Sequence, residues 1–123
     1  GRGFLTGQIT SLDDLEEGDY RRRDPRYSPE NFDQNLKLVD VVKETATKHN
    51  CSAAQIALAW LMAQGEFVVP IPGSKRRATL EDSMAAVDIS LIEDDLTELE
   101  AAAPVGGTAG PRYGDAMMSM VRL

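Results

Sequence analysis

One stretch near the middle of the chain decides how the sequence is interpreted. Residues 67–77 read Phe-Val-Val-Pro-Ile-Pro-Gly-Ser-Lys-Arg-Arg, an apolar run followed by Gly-Ser and three cations. A short apolar run with β-branched residues, bounded by Gly65 and Gly73, is typical of a strand buried on both faces, as in parallel sheets. Two prolines would break an ordinary central strand, so we expect its pairing to stop at them. The stretch therefore predicts one strand over residues 67–72.

The segment after this strand suits a phosphate group. Gly73 allows close backbone approach and Ser74 offers a hydroxyl, while Lys75 and Arg76 add charge beside the start of the next helix. The first N–H groups of a helix are unpaired and carry the positive end of its dipole. A strand-to-helix turn with ordinary solvated cations explains the composition equally well. The spacing is not that of a Walker A loop.

About four helices are predicted around this stretch. The first begins at Pro29 and ends near Lys48, with apolar residues at steps of three and four and Asn50 as a left-handed cap. The second covers residues 53–63, begins with a capping box from Ser52 to Gln55, and is apolar nearly all round. Such a helix is expected to be buried on several sides.

Two further helices and a tail complete the pattern. The third helix is predicted over residues 76–87, and the fourth over residues 93–103 before Pro104. Their expected inward positions are Leu80, Met84 and Val87 in the third, and Leu96 and Leu99 in the fourth. Residues 104–123 form a Gly-rich and then amphipathic tail.

The first 29 residues show no regular apolar period. Acidic residues cluster before residue 20 and arginines follow it, so the simplest interpretation is a solvated surface loop whose charges pair weakly. A loop of this length in a compact domain is usually functional or mobile.

Composition excludes several classes of protein. The 123 residues carry a net charge of −7, which argues against a nucleic-acid partner, because such a site needs a basic stripe. No apolar run approaches the roughly 20 residues of a membrane span. The one cysteine excludes an intrachain disulfide framework and a multi-cysteine zinc site, and it is compatible with a reducing compartment.

No side chain in the sequence makes a convincing catalytic centre. His49 is the only histidine, and its place at a helix end favours a capping or dipole role. Cys51 is more typical of a small buried hydrophobe than of a nucleophile. Tyr20, Tyr27 and Tyr113 have no identifiable base beside them.

The chain resembles the aldo-keto reductase superfamily, and the resemblance extends over essentially its whole length. The stretch at residues 1–7, Gly-Arg-Gly-Phe-Leu-Thr-Gly, is similar to the segment after the seventh barrel strand in that family. The start of the first helix at residues 28–36 and the second helix at residues 52–61 are similar to the barrel helices that follow. Residues 69–76 are similar to the eighth strand and its cofactor loop. Residues 112–113 and 117–118 resemble the family's C-terminal tail.

The resemblance implies a fold and a set of cofactor contacts. The fold would be α/β, the C-terminal segment of a (β/α)8 TIM barrel. Residues 1–29 would form the loop after strand seven, 30–64 helices, 67–72 strand eight, 73–103 the cofactor loop and helices, and 104–123 the tail. The family's binding of NADP(H) would place the 2′-phosphate at Gly73, Ser74, Lys75 and Arg76, the adenine at Thr79, Asp82 and Ser83, and the pyrophosphate near Gly1, Arg2 and Gly3.

Two of these positions depart from the family pattern, in which Glu and Asn stand where this chain has Asp82 and Ser83. Both changes shorten the reach toward adenine.

The family's catalytic Asp, Tyr, Lys and His match nothing here, so the resemblance assigns no catalytic residue to this chain. It implies the C-terminal, NADP(H)-binding part of a cytoplasmic oxidoreductase that transfers hydride between NADPH and an aldehyde or ketone. Residues 7–28 would act as a mobile loop over the cofactor, and the missing N-terminal part of the barrel would be a partner. By itself the chain is expected to be inactive, because a barrel needs about 250 residues. The alternative is a non-catalytic truncated remnant, a helical module that binds a nucleotide or a partner.

Overall fold

The computed structural model describes residues 1–121 and is built from helices and turns. Helix α1 spans Pro29–Lys48, α2 Ala53–Ala63, α3 Arg77–Met84, α4 Glu93–Ala102 and α5 Asp115–Met118. Short 3-10 turns cover Phe4–Thr6, Leu12–Asp14, Tyr20–Arg23, Pro25–Tyr27 and Ala85–Asp88. Helix α1 packs against both α2 and α4, and α3 follows α2. None of the helices in residues 1–121 is long and apolar enough to cross a membrane.

Helices α1 and α2 confirm the bounds predicted from their sequence patterns. Asn50 adopts the left-handed conformation expected of the cap, with φ of 51°. The hydroxyl of Ser52 accepts from the Gln55 N–H at 3.1 Å, and the Gln55 side chain accepts from the Ser52 N–H at 2.9 Å. Both helix ends are therefore set by local hydrogen bonds, which a sequence pattern can reveal.

The predicted strand over residues 67–72 is not confirmed. These residues have no regular secondary structure, and the side chains of Phe67 and Ile71 are 92% and 94% exposed. A strand exists only through hydrogen bonds to a neighbouring strand. No second strand is available within residues 1–121, and Pro70 and Pro72 lack the N–H that a ladder needs.

The burial of side chains on helices α2 and α3 also differs from the prediction. Helix α2 buries Ile56 completely but leaves Leu61 38% exposed, so its apolar surface is covered mainly on one side. Helix α3 ends earlier than expected, at Met84. The inward positions predicted for the third helix are wrong, because Leu80, Met84 and Val87 are exposed.

Helix α4 agrees more closely with its prediction. It ends one residue early, at Ala102, and buries Leu99, with Leu96 half-buried. The carboxylate of Asp95 accepts from the N–H of Ile92 at 3.1 Å, so Ile92 takes the capping position.

Two apolar clusters form the core of the described part of the chain. The first joins the amino-terminal segment to the start of α1 through Phe4, Ile9, Leu15, Tyr27, Phe32 and Val39. The ring of Phe4 meets the rings of Tyr27 and Phe32 edge-to-face, at centroid distances of 5.3 and 5.6 Å. The second joins α1, α2 and α4 through Val42, Ala46, Ala53, Ile56 and Leu99. Residues 1–28 are thus part of the core, which differs from the solvated surface loop suggested by their lack of periodicity.

Candidate functional site

A cleft of about 1010 Å³ lies between the amino-terminal segment, helix α2 and residues 70–83. Eight of the residues predicted to contact a cofactor line this cleft, namely Gly1, Arg2, Gly3, Gly73, Arg76, Thr79, Asp82 and Ser83. Ser74 and Lys75 lie outside the lining. Positions 70 residues apart in the sequence therefore meet at one site, because α1 and α2 return the chain to its amino-terminal segment.

The cationic loop at one side of the cleft is open to solvent. Gly73, Ser74, Lys75 and Arg76 are exposed, and a Cβ added at Gly73 would meet no atom within 4 Å. Arg76 caps α3 without a side-chain hydrogen bond. Neither Lys75 nor Arg76 forms an ion pair within residues 1–121. The loop therefore presents charge that is not neutralised by a described carboxylate.

Arg77 behaves differently from its two neighbours. Its Nε lies 2.7 Å from Oε1 of Glu81, one turn further along α3. Arg77 thus belongs to an i,i+4 pair on the helix surface, and it does not line the cleft.

Arg2 stands at the opposite side of the cleft with its guanidinium already engaged. Nη1 lies 3.1 Å from Oδ2 of Asp24, Nη2 donates to the carbonyl of Arg112 at 2.7 Å, and the group stacks 4.8 Å from the ring centroid of Tyr113. The carbonyl of Arg2 accepts from the Tyr27 hydroxyl at 3.1 Å. Its φ of 51° is uncommon for a residue with a side chain.

The adenine-side residues are half-buried on α3, and one of them is tied to α2. Oδ2 of Asp82 accepts from the Ser52 hydroxyl at 3.0 Å, and the Asp82 carbonyl accepts from the Gln55 side chain at 2.9 Å. The Ser52–Gln55 capping box therefore also fixes the position of α3. The sequence pattern revealed the capping box but not this second use of it.

Trp60 is a cleft residue that sequence reasoning missed. Its indole Nε1 is buried and has no hydrogen-bond partner within residues 1–121. An indole N–H is a donor only, and burial without an acceptor is unfavourable. The available signal was a tryptophan within an otherwise aliphatic helix.

The remaining candidate groups are hydrogen-bonded or partly buried in the structure. Nε2 of His49 lies 2.7 Å from Oδ2 of Asp95, and His49 occupies the C-cap position of α1, which confirms the capping role. Burial raises the pKa of the Tyr27 phenol, and its hydroxyl donates to the Arg2 carbonyl. Cys51 is half-buried, and burial raises the pKa of its thiol. No group of three potential metal ligands occurs within the described residues.

Comparison with known proteins identifies the family. Residues 1–104 match the Aldo/keto reductase family, and the chain belongs to that family. It is 45% identical over 113 residues to aldo-keto reductase yakc [NADP(+)] of Schizosaccharomyces pombe, covering 92% of this chain and 33% of that protein. It is 39% identical over 112 residues to aldo-keto reductase str7 of Strobilurus tenacellus, covering 91% and 33%.

A third relative comes from a plant. The chain is 38% identical over 113 residues to probable aldo-keto reductase 1 of Glycine max, covering 92% of this chain and 32% of that protein. The chain thus spans about a third of the length of these relatives. Membership suggests a partial TIM barrel.

Proposed function

We propose that this chain forms the NADP(H)-binding part of an aldo-keto reductase that transfers hydride between NADPH and an aldehyde or ketone. The observation that carries the proposal is the cleft itself. It is lined at one side by residues 1–3 and at the other by residues 73–83, the two segments that the family resemblance assigns to the cofactor. The name of the Schizosaccharomyces pombe relative, which includes NADP(+), supports the same cofactor.

The exposed loop suits the 2′-phosphate. Lys75 and Arg76 have no carboxylate partner among the described residues, and the space beside Gly73 is open. Helix α3 begins directly after Arg76. A dianion here would receive charge-assisted hydrogen bonds from side chains and from the first N–H groups of α3. Ser74 would add a hydroxyl donor from the same exposed loop.

The half-buried face of α3 suits the adenine end. Thr79, Asp82 and Ser83 lie along the wall of the cleft, and Asp82 is held by Ser52 and by Gln55. Because its carboxylate is already engaged, Asp82 would shape the wall rather than reach out to the base. This arrangement agrees with the shorter side chains that this chain carries at residues 82 and 83.

The amino-terminal segment suits the pyrophosphate. Gly1, Arg2 and Gly3 line the cleft, and Arg2 is the cation among them. Asp24 offsets part of its charge, so we expect a weaker anion site here than at Lys75 and Arg76.

The rest of the reaction would depend on parts of the protein beyond this chain. NADPH, when bound, supplies the hydride. The exposed side chains of Phe67, Val69 and Ile71 are those that the other layers of a complete barrel would cover, so we propose the remainder of the barrel as their partner. That remainder would also carry the catalytic groups and most of the pocket for the carbonyl substrate, and the chain alone would be inactive.

The 2′-phosphate assignment is tested by removing the two unpaired cations. In the complete protein, Lys75→Ala with Arg76→Ala should weaken NADPH binding by more than tenfold, since a charge-assisted hydrogen bond contributes about 1.5–3 kcal/mol. NADH, which lacks the 2′-phosphate, should be affected far less. Both affinities are measured by fluorescence titration.

Arg77→Ala is the matched control for this test. It removes the next cation along the chain, which lies on α3 and is already engaged by Glu81. It should leave the ratio of NADPH to NADH affinity nearly unchanged. Equal losses for the two cofactors in the Lys75 and Arg76 variant would contradict the assignment.

A further inference from the structure

The carboxyl-terminal tail is attached to α1 by the side chain of Asn35. This side chain is 5% exposed and lies between the apolar residues Phe32 and Val39 on the buried face of the helix. Its Oδ1 accepts from the N–H of Ala109 at 2.8 Å, and its Nδ2 donates to the carbonyl of the same residue at 3.0 Å. The amide thus pairs with the tail backbone much as one peptide group pairs with another.

The attachment extends on both sides of this pair. The second proton of Asn35 Nδ2 is donated to the carbonyl of Arg26 at 3.1 Å. Gly110 follows with a φ of 82°, and a Cβ on it would lie 2.7 Å from Nδ2 of Asn31 and 2.8 Å from the carbonyl of Pro25. Only glycine fits this position without displacement. The tail therefore occupies a closely fitting, hydrogen-bonded site, called the seat below, that is formed by Pro25, Arg26, Asn31 and Asn35.

The attached tail supplies two of the partners of the Arg2 guanidinium. Two residues beyond Gly110, the carbonyl of Arg112 accepts from Arg2, and the ring of Tyr113 stacks against the same group. Both contacts orient the guanidinium without neutralising it, because a carbonyl and an aromatic face carry no net charge. Among residues 1–121, Asp24 is the one partner that offsets the charge.

We propose that Asn35 is a positioning residue, which holds the Arg2 guanidinium at the wall of the cleft through tail residues 109–113. Asn35 itself does not line the cleft. The effect is preorganisation: a donor that is already oriented loses less conformational freedom when an anion binds. The ligand class is a pyrophosphate-bearing nucleotide, and for that identity the inference rests on the proposed function.

The test uses the complete protein and two variants of the attachment. Asn35→Asp keeps the acceptor for Ala109 but places a carboxylate oxygen against the carbonyls of Ala109 and Arg26. Gly110→Ala disturbs the same seat from the side of the tail. Gln34→Glu is the control for added charge, since Gln34 is the exposed neighbour. Thr45→Ala, a buried change in α1 away from the tail, is the control for lost stability.

The first measurement needs no ligand. Trypsin cleavage after the exposed Arg112 is followed by mass spectrometry under native conditions, where its rate reports local opening of the tail. Both attachment variants, and Arg2→Ala, should be cleaved at least about fivefold faster, the effect of losing roughly one hydrogen bond. Neither control should change the rate. An unchanged rate in Asn35→Asp and Gly110→Ala would overturn the proposal.

The second measurement is a double-mutant cycle on NADPH affinity. Asn35→Asp should weaken NADPH about three- to tenfold, as expected for one poorly positioned donor. The same substitution should have no further effect in an Arg2→Ala background, because no guanidinium remains to be positioned. A purely structural role would give equal losses in both backgrounds and would overturn the proposal.

Failure of the proposed function has a different signature. If the wild-type protein does not bind NADPH, the cofactor assignment fails, and the same cycle is measured with inorganic pyrophosphate. Coupling between Asn35 and Arg2 with that probe supports the positioning role, and additive effects overturn it.

Discussion

Two parts of the molecule differ in how far their apolar side chains are buried. The tied region comprises residues 1–15 and 21–48, and its aromatic side chains Phe4, Tyr27 and Phe32 are 9%, 2% and 3% exposed. The open segment comprises residues 66–92, where Val69 and Val87 are 77% and 71% exposed. Both contain large apolar side chains. An apolar sequence pattern therefore indicates which side chains need burial, but it does not identify the surface that buries them.

The largest expected effect separates the core from the open segment directly. Ile56→Ala, at a fully buried position, should lower the free energy of unfolding by about 2–5 kcal/mol. Ile71→Ala, at an exposed position, should change it by less than about 0.5 kcal/mol in the 123-residue chain. Urea titrations give both values. Comparable losses of stability in the two variants would contradict the distinction between a buried core and an open segment.

The next effect is a pH-dependent contact at the end of α1. Burial of Asp95 opposes ionisation, but hydrogen bonds from His49 and from the N–H of Ile92 outweigh it and hold the pKa of this carboxyl below its usual value. A depressed folded-state pKa contributes stability above the unfolded pKa, about 3.9, and that stability is lost as the pH falls through the folded value.

Asp95→Asn should therefore cost about 1–3 kcal/mol near neutral pH, and its difference from wild type should shrink below about pH 4. Urea midpoints measured from pH 3 to 8 give the comparison. A difference that stays constant across that range would contradict the assignment of the stability to the ionised carboxylate.

A smaller effect concerns the attachment of the open segment to α2. Gln55→Ala removes half of the capping box and the hydrogen bond to the Asp82 carbonyl, at a cost of about 1–2 kcal/mol. Amide hydrogen exchange should accelerate mainly in α3. Gln64→Ala, which removes an exposed hydrogen bond at the other end of α2, serves as the control. Uniform acceleration across all helices would indicate general destabilisation instead.

The smallest effect lies on the surface of α3. Glu81→Ala releases Arg77 from its ion pair and should change the free energy of unfolding by less than about 0.5 kcal/mol. The complete protein should bind NADPH up to about threefold more tightly, because a carboxylate near the cationic loop is lost. Weaker NADPH binding in this variant would argue against a phosphate at residues 73–76.

The sequence predicts what local interactions determine. The bounds of α1 and α2 follow from Pro29, Asn50 and the Ser52–Gln55 pair, whose hydrogen bonds lie within a few residues. The strand over residues 67–72 could not be predicted from local sequence in this way, because a strand forms only when a partner strand pairs with it. The prediction of the inward face of α3 was wrong for a related reason. Periodicity places Leu80, Met84 and Val87 on one face of the helix but does not identify an element that covers them.

For the candidate site, eight of the ten cofactor contacts that the resemblance implies line the cleft, but the resemblance gave none of their internal partners. Asp24 and Tyr113 on Arg2, and Gln55 on Asp82, are contacts between distant parts of the chain. One signal was available for the tail: Asn35 is an amide three residues after Phe32 and four before Val39, on an otherwise apolar face. A buried amide at such a position requires hydrogen-bond partners.

The seat of the tail also constrains the order of folding. Asn35 and Ala109 are 74 residues apart, and Arg2 and Arg112 are 110 apart, so these contacts are among those that close the longest loops defined by the hydrogen bonds of residues 1–121. Long loops close late, after nearby helices have formed. During synthesis on the ribosome, α1 and α2 can therefore assemble while Arg2 still lacks two of its partners, and the cleft acquires its finished wall only when the last part of the described chain has emerged.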